Sequence, residues 1–100
     1  MNYLIIWEDL AEQSFIVETN FILSKWNLKE VEKFENLVEN ELKRLSNNPI
    51  IGNFKYKNVY SLVISRQTTI YYRVKKEKHI IEIIVFWNNL KNPDDLIKLL

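Results

Sequence analysis

Cysteine is absent from the 100 residues, histidine occurs once, glycine once and proline twice. The missing cysteine excludes disulfide staples, a thiol nucleophile and a thiolate zinc site. The lone His79 cannot build a histidine metal cluster, and neither a metal nor a cofactor is expected. So little glycine and proline argues against a loop-rich sandwich and for regular elements with short connections. No apolar run approaches the ~20 residues that would span a bilayer. The opening stretch MNYLIIWEDL has no basic leader and meets acidic residues too early for a signal peptide, so a cytoplasmic location is expected. What is plentiful is core material: 47% of the residues are hydrophobic and 13% aromatic, enough for one packed domain over residues 1–100.

The formal charge of +1 conceals an asymmetry. Residues 1–54 hold five Lys/Arg against nine Asp/Glu, whereas residues 55–100 hold nine against four. Lys55, Lys57, Arg66, Arg73, Lys75, Lys76 and Lys78 make up most of the basic excess, a distribution compatible with a polyanion or an acidic protein partner on one side.

The run YLIIW, Tyr3 to Trp7, is β-branched and aromatic and predicts a buried strand. Asp9 and Glu12 have the spacing of a helix cap and its reciprocal partner, opening a helix to about Ser24. Ala11, Phe15, Ile22 and Trp26 form its apolar face, with Leu10, Val17 and Phe21 broadening it. Asn27 and Glu30 repeat the capping signal, so a second helix starts at Leu28. Val31, Phe34, Val38, Leu42 and Leu45 step through that helix at intervals of three and four, with charged residues facing away. It should end near Ser46, where Asn47-Asn48 can provide a left-handed cap and Pro49 cannot continue.

YSLVI (60–64), TTIYYRV (68–74) and HIIEIIVF (79–86) predict three further strands joined by short polar connectors, hence an antiparallel meander. In the third of these, Ile81, Ile83, Val85 and Trp87 would share one side and Ile80, Glu82, Ile84 and Phe86 the other. Both sides are largely apolar, so this strand should be central and covered on both faces. The expected fold is α+β in the order β-α-α-β-β-β: a helical hairpin packed on a small, mainly antiparallel sheet, with a short C-terminal helix over 93–100.

This order, carried by Trp7 with Ala11, Trp26, LKRLSNNPIIG (42–52), VISRQTTIYYRV (63–74) and IIEIIVFW followed by KNPDDL, resembles the RelE/ParE family of small toxins from type II toxin–antitoxin pairs. The resemblance implies a growth inhibitor neutralised by a cognate antitoxin, with operator DNA reached only through that antitoxin. It leaves two modes of action open. Toxins of the RelE kind cleave mRNA on the ribosome with basic and aromatic side chains; those of the ParE kind poison DNA gyrase without enzymatic chemistry.

Cleavage through a ribose 2′-oxygen needs a proton acceptor, a cation for the pentavalent phosphate and an acid for the leaving oxygen. The candidates are Arg66, Arg73, Lys55, Lys57, His79, Tyr71 and Tyr72. Among them Tyr71 and Arg73 share a strand face opposite to Ile70, Tyr72 and Val74, where they could stack on a base and hold a phosphate. His79, after a lysine-rich turn, reads as an exposed turn residue. Relatives carry an arginine between the last strand and the Asn-Pro pair, in a pattern like Phe-x-x-Arg-x-x-Pro. Here Leu90 stands in that place, and the adjacent Lys91 is a point charge, not a planar two-pronged ligand. That departure favours the ParE-like reading, with Lys55, Lys57, Arg66, Arg73, Trp87, Leu90 and Lys91 as candidate contacts to target or antitoxin. Asn92-Pro93-Asp94-Asp95 has the pattern of a helix start beside a partner groove.

Overall fold

The computed structural model describes residues 2–100. Strand β1 (Leu4–Trp7) leads into helix α1 (Asp9–Lys25) and helix α2 (Leu28–Asn47). Four strands follow: β2 (Asn53–Tyr56), β3 (Val59–Val63), β4 (Thr68–Lys75) and β5 (Ile80–Asn88), with a 3-10 turn at Lys76–Lys78 and a closing helix α3 (Pro93–Ile97). The strands form one sheet in the order β1-β5-β4-β3-β2. β1 runs parallel to β5, and every other pairing is antiparallel.

The α+β class and the helical hairpin match the sequence, but the sheet has five strands, one more than expected. The addition is β2, whose four residues are all exposed at the sheet edge. With no burial there is no hydrophobic alternation to betray it. Its approach to β3 depends on the chain's one glycine. A Cβ on Gly52 would run into the Ser61 carbonyl oxygen and come within 2.6 Å of the Tyr72 hydroxyl. The Gly52 N–H donates to that hydroxyl (3.1 Å), which in turn donates to the Pro49 carbonyl (2.9 Å).

Helix α2 follows its periodicity: Val31, Phe34, Val38 and Leu45 are buried. Asn27 caps it by accepting from the Glu30 N–H at 3.0 Å. Its far end differs from expectation, because Asn48 has φ −145° and is not left-handed. Asp9 likewise lies inside the first turn of α1, with Glu8 in the cap position and making no side-chain cap bond. α1 is pinned to the sheet by polar groups. Glu18, 2% exposed, accepts from the Thr68 hydroxyl (2.6 Å) and the Asn88 amide (3.1 Å). The Ser14 hydroxyl accepts from the Phe86 N–H at 2.9 Å. Among the described residues no buried polar side-chain atom lacks a partner, as burial without one would cost ~1–3 kcal/mol.

The helices cover one face of the sheet, meeting Ile70, Tyr72, Val74, Ile81, Ile83 and Phe86. On the opposite face Val59, Ile84, Val85 and Trp87 pack under Leu96 of α3. The expected alternation along β5 fails at one place. Tyr71 pairs with Val85 but Tyr72 pairs with Ile83, so Ile84 is an extra residue in a β-bulge. The bulge exchanges the faces: Ile81 and Ile83 point to the helices before it, and Phe86 after it, while Val85 and Trp87 join the other side. β5 is nevertheless central and covered on both faces.

Candidate functional site

The face opposite the helices carries the Tyr71–Arg73 side of β4, as the strand alternation requires. Arg73 does not stand free there. Its guanidinium lies 3.0 Å from a Glu8 carboxylate oxygen and 3.3 Å from one of Glu82, whose other oxygen is 3.1 Å from the Lys75 ammonium. Burial pushes the Glu82 carboxyl up, but hydrogen bonds from Lys75 and Arg73 and the attraction of both cations outweigh it and hold the pKa below its ordinary value. Tyr71 packs into the apolar cluster beneath α3, and burial raises its phenol pKa. A phenol held more firmly neutral is a poorer proton acceptor near neutral pH.

The remaining candidates are dispersed. Lys55 borders a cavity of about 330 Å³ shared with Tyr56, Tyr71 and Leu96. Lys57 sits in the β2–β3 turn with φ 50°. His79 is exposed at the start of β5, with φ 54° and its ring 4.9 Å from that of Tyr3. Tyr72 is buried on the helix side, where burial drives its pKa to about 12. Arg66 is exposed in the β3–β4 turn, where its carbonyl accepts from the Asn89 amide at 3.2 Å. Arg66 lies in the turn before β4, and Arg73 stands five residues along that strand from Thr68, roughly 16 Å at ~3.3 Å per residue. Arg73, held by Glu8 and Glu82, is not free to join Arg66 at one phosphate.

A different surface does come together. Leu10, Gln13 and Val17 of α1 face Val85, Trp87, Lys91 and Leu99 across a groove of about 190 Å³. The Lys91 ammonium stands 5.7 Å from the centre of the Trp87 ring, within range of a cation–π attraction. Next to it Leu90 is 77% exposed. Its N–H donates to the Asn88 side chain at 2.9 Å, which holds the turn in place. Asn92 caps α3 by accepting from the Asp94 N–H at 3.0 Å, as its spacing predicts.

Along the outer side of α1 the apolar surface continues: Ile16 is 57% exposed, Val17 52% and Leu23 48%. The sequence reading put Val17 and Trp26 on the buried face; both are largely exposed. Ile16 and Leu23 were not singled out at all. A signal for them existed. Phe15, Ile16, Val17, Phe21, Ile22 and Leu23 cover too much of a helical circumference for one face to bury. These exposed apolar side chains, interrupted by the exposed Asn20, leave apolar surface on the outer side of α1.

The α+β fold, a helical hairpin on a five-stranded sheet, is that of the RelE/ParE toxins, as structural comparison shows. The chain is similar to a protein in the chromosomal ParDE system from P. aeruginosa, with a TM-score of 0.71 at 16% identity over 86% of this chain and 95% of that one. It is also similar to a mutant of the E. coli toxin RelE in the free state, with a TM-score of 0.65 at 15% identity over 98% and 93%. The E. coli RelBE toxin–antitoxin complex gives a TM-score of 0.60 at 16% identity over 86% and 95%. No curated protein matches the sequence. The family model for the ParE toxin of the type II toxin–antitoxin system parDE matches residues 5–92. The chain belongs to that family. It is a type II toxin, a class whose partner is an antitoxin.

Proposed function

We propose that this toxin acts in the ParE manner, inhibiting growth by binding DNA gyrase without cleaving RNA. The observation that carries this reading is the Trp87–Leu90–Lys91 corner. Where an arginine would serve phosphate chemistry, the chain presents a largely exposed leucine and a lysine, while Trp87, only 7% exposed, packs beneath them and offers little surface of its own. Such a corner suits an apolar protein contact better than a nucleophilic displacement. The other requirements of a ribonuclease are poorly served as well: Arg73 is neutralised by two carboxylates, and Tyr71 is packed and held neutral. The same corner continues into the α1 strip. An amphipathic, acidic antitoxin helix laid along Ile16, Val17 and the groove would cover it, its acids meeting Lys91.

The test is to induce the protein in a bacterial host and pulse-label new DNA and new protein separately over the first minutes. Early failure of DNA synthesis with continuing translation is the expected result. A supercoiling assay with purified gyrase should then show inhibition that Leu90→Asp weakens by about tenfold or more, the loss typical of a buried contact. If translation stops first, the ribosome-dependent endonuclease is the correct reading. If neither stops, the chain serves only in antitoxin binding.

A further inference from the structure

At the end of the sheet away from Arg66 lies a cleft that the contact surface does not use. Its volume is about 530 Å³. Lys57 and Asn58 of the β2–β3 turn form one wall, the 3-10 turn Lys76–Lys78 the other, and Tyr60 and Val74 lie between them. Lys75 also borders it, but its ammonium is engaged by Glu82. Among the described residues, Lys57, Lys76 and Lys78 pair with no carboxylate, as holds also for Lys25, Lys29, Lys55, Arg66, Lys91 and Lys98; what sets the three apart is that they line one hollow. Glu77 is the one acid on the cleft wall. Three ammoniums against one carboxylate leave the hollow net positive, which favours an anion in it.

The cleft is also held in shape. The Val74 N–H donates to the Asn58 carbonyl at 3.0 Å, fixing the first wall, and the Leu4 N–H donates to the His79 carbonyl at 2.8 Å, fixing the second. Each wall adjoins a non-glycine residue in the left-handed region, Lys57 and His79. Such backbone is disfavoured for residues with a side chain and persists where the surroundings over-determine it.

We propose that this cleft binds a run of phosphate groups, an oligophosphate anion. Phosphates ask for point charges, which lysine supplies on a flexible stem. An acidic peptide would also need a strand edge or apolar pockets. The strands beneath the cleft, β3 and β4, are paired on both sides, so no free edge is offered. The volume suits a ligand of small-molecule size. The phosphates could belong to a free oligophosphate or to a nucleic-acid backbone. The proposal is independent of which target the toxin inhibits.

Calorimetric titration of the full chain with sodium tripolyphosphate, a short oligothymidylate and an oligoglutamate of matched charge tests it. The comparison protein is a triple variant, Lys57→Gln, Lys76→Gln and Lys78→Gln, with Lys29→Gln as a control for bulk charge. All four positions are exposed, and circular dichroism checks that the variants fold. Tripolyphosphate should bind, weaken with added salt, lose about tenfold or more in affinity in the triple variant and be unaffected by Lys29→Gln. Tighter binding of oligothymidylate identifies the nucleic-acid backbone as the source; equal or weaker binding identifies a free oligophosphate. The proposal is overturned by absent tripolyphosphate binding, by equal affinity in the triple variant, or by oligoglutamate binding as tightly as tripolyphosphate.

Discussion

The two faces of the sheet are built by different means. On the helix side, two long helices press Phe34, Val38 and Leu45 onto Ile70, Tyr72, Ile81 and Ile83, and aromatic rings interlock at Trp7, Phe15 and Phe86. On the other side, a five-residue helix contributes one well-buried side chain, Leu96, while the area around Arg73 is covered by ion pairs instead. The first face is where the fold gets its stability. The second has a thinner cover, and at its margin the turn after β5 leaves Leu90 77% exposed. The proposed contact surface draws on both sides, from the exposed Leu90–Lys91 turn at the margin of the second face to the outer side of α1.

If that division is right, equivalent truncations on the two faces should differ in cost. Phe34→Ala leaves a cavity inside the interlocked side and should cost about 3–5 kcal/mol. Urea unfolding followed by circular dichroism would measure it, and growth inhibition would be lost through unfolding alone. Leu96→Ala should cost less, about 2 kcal/mol, because the short tail can settle into the space it leaves. Near-equal costs would break the comparison and make α3 an integral part of the core.

More of the helix side than of the other was legible in the sequence, for physical reasons, although the strand over Tyr3 to Trp7, expected to be buried, leaves Leu4 62% and Ile6 40% exposed at the sheet edge. A long amphipathic helix writes its burial at intervals of three and four, so Val31, Phe34, Val38 and Leu45 announce themselves. Asn27 and Asn92 were legible as caps because a cap bond is local. The bulge at Ile84 was hidden, since a one-residue slip leaves an apolar run looking the same while exchanging its faces. β2 was hidden because an exposed edge strand carries no alternation. The neutralisation of Arg73 depends on Glu8, which is 65 residues away in sequence, and no spacing rule reaches that far. The resemblance carried the family; it could not say that Tyr71 and Arg73 would be packed and paired.

The smallest expected effect separates the faces by pH. Glu82 has a depressed pKa because Lys75 and Arg73 stabilise its carboxylate more than burial disfavours it. Its contribution to stability is therefore present above the ordinary value of 4.5 and lost as the pH falls through the lower folded value. Arg73→Ala should cost about 1 kcal/mol near neutrality, since the pairs are partly exposed, and that deficit should shrink on acidification as Glu82 protonates. Tyr72 on the helix side has the opposite sign. Its folded pKa is raised from 10.0 to about 12, so its stabilising preference for the neutral phenol holds below 10.0 and is lost as the pH rises through about 12. Acid should loosen the ion-paired face and alkali the helix-covered one. Urea midpoints measured across pH for the wild type, Arg73→Ala and Tyr72→Phe would show this as two deficits changing at opposite ends of the scale. A constant Arg73→Ala deficit across the acid range would mean that the ion pairs only fill space on that face, and that its cover rests on α3 alone.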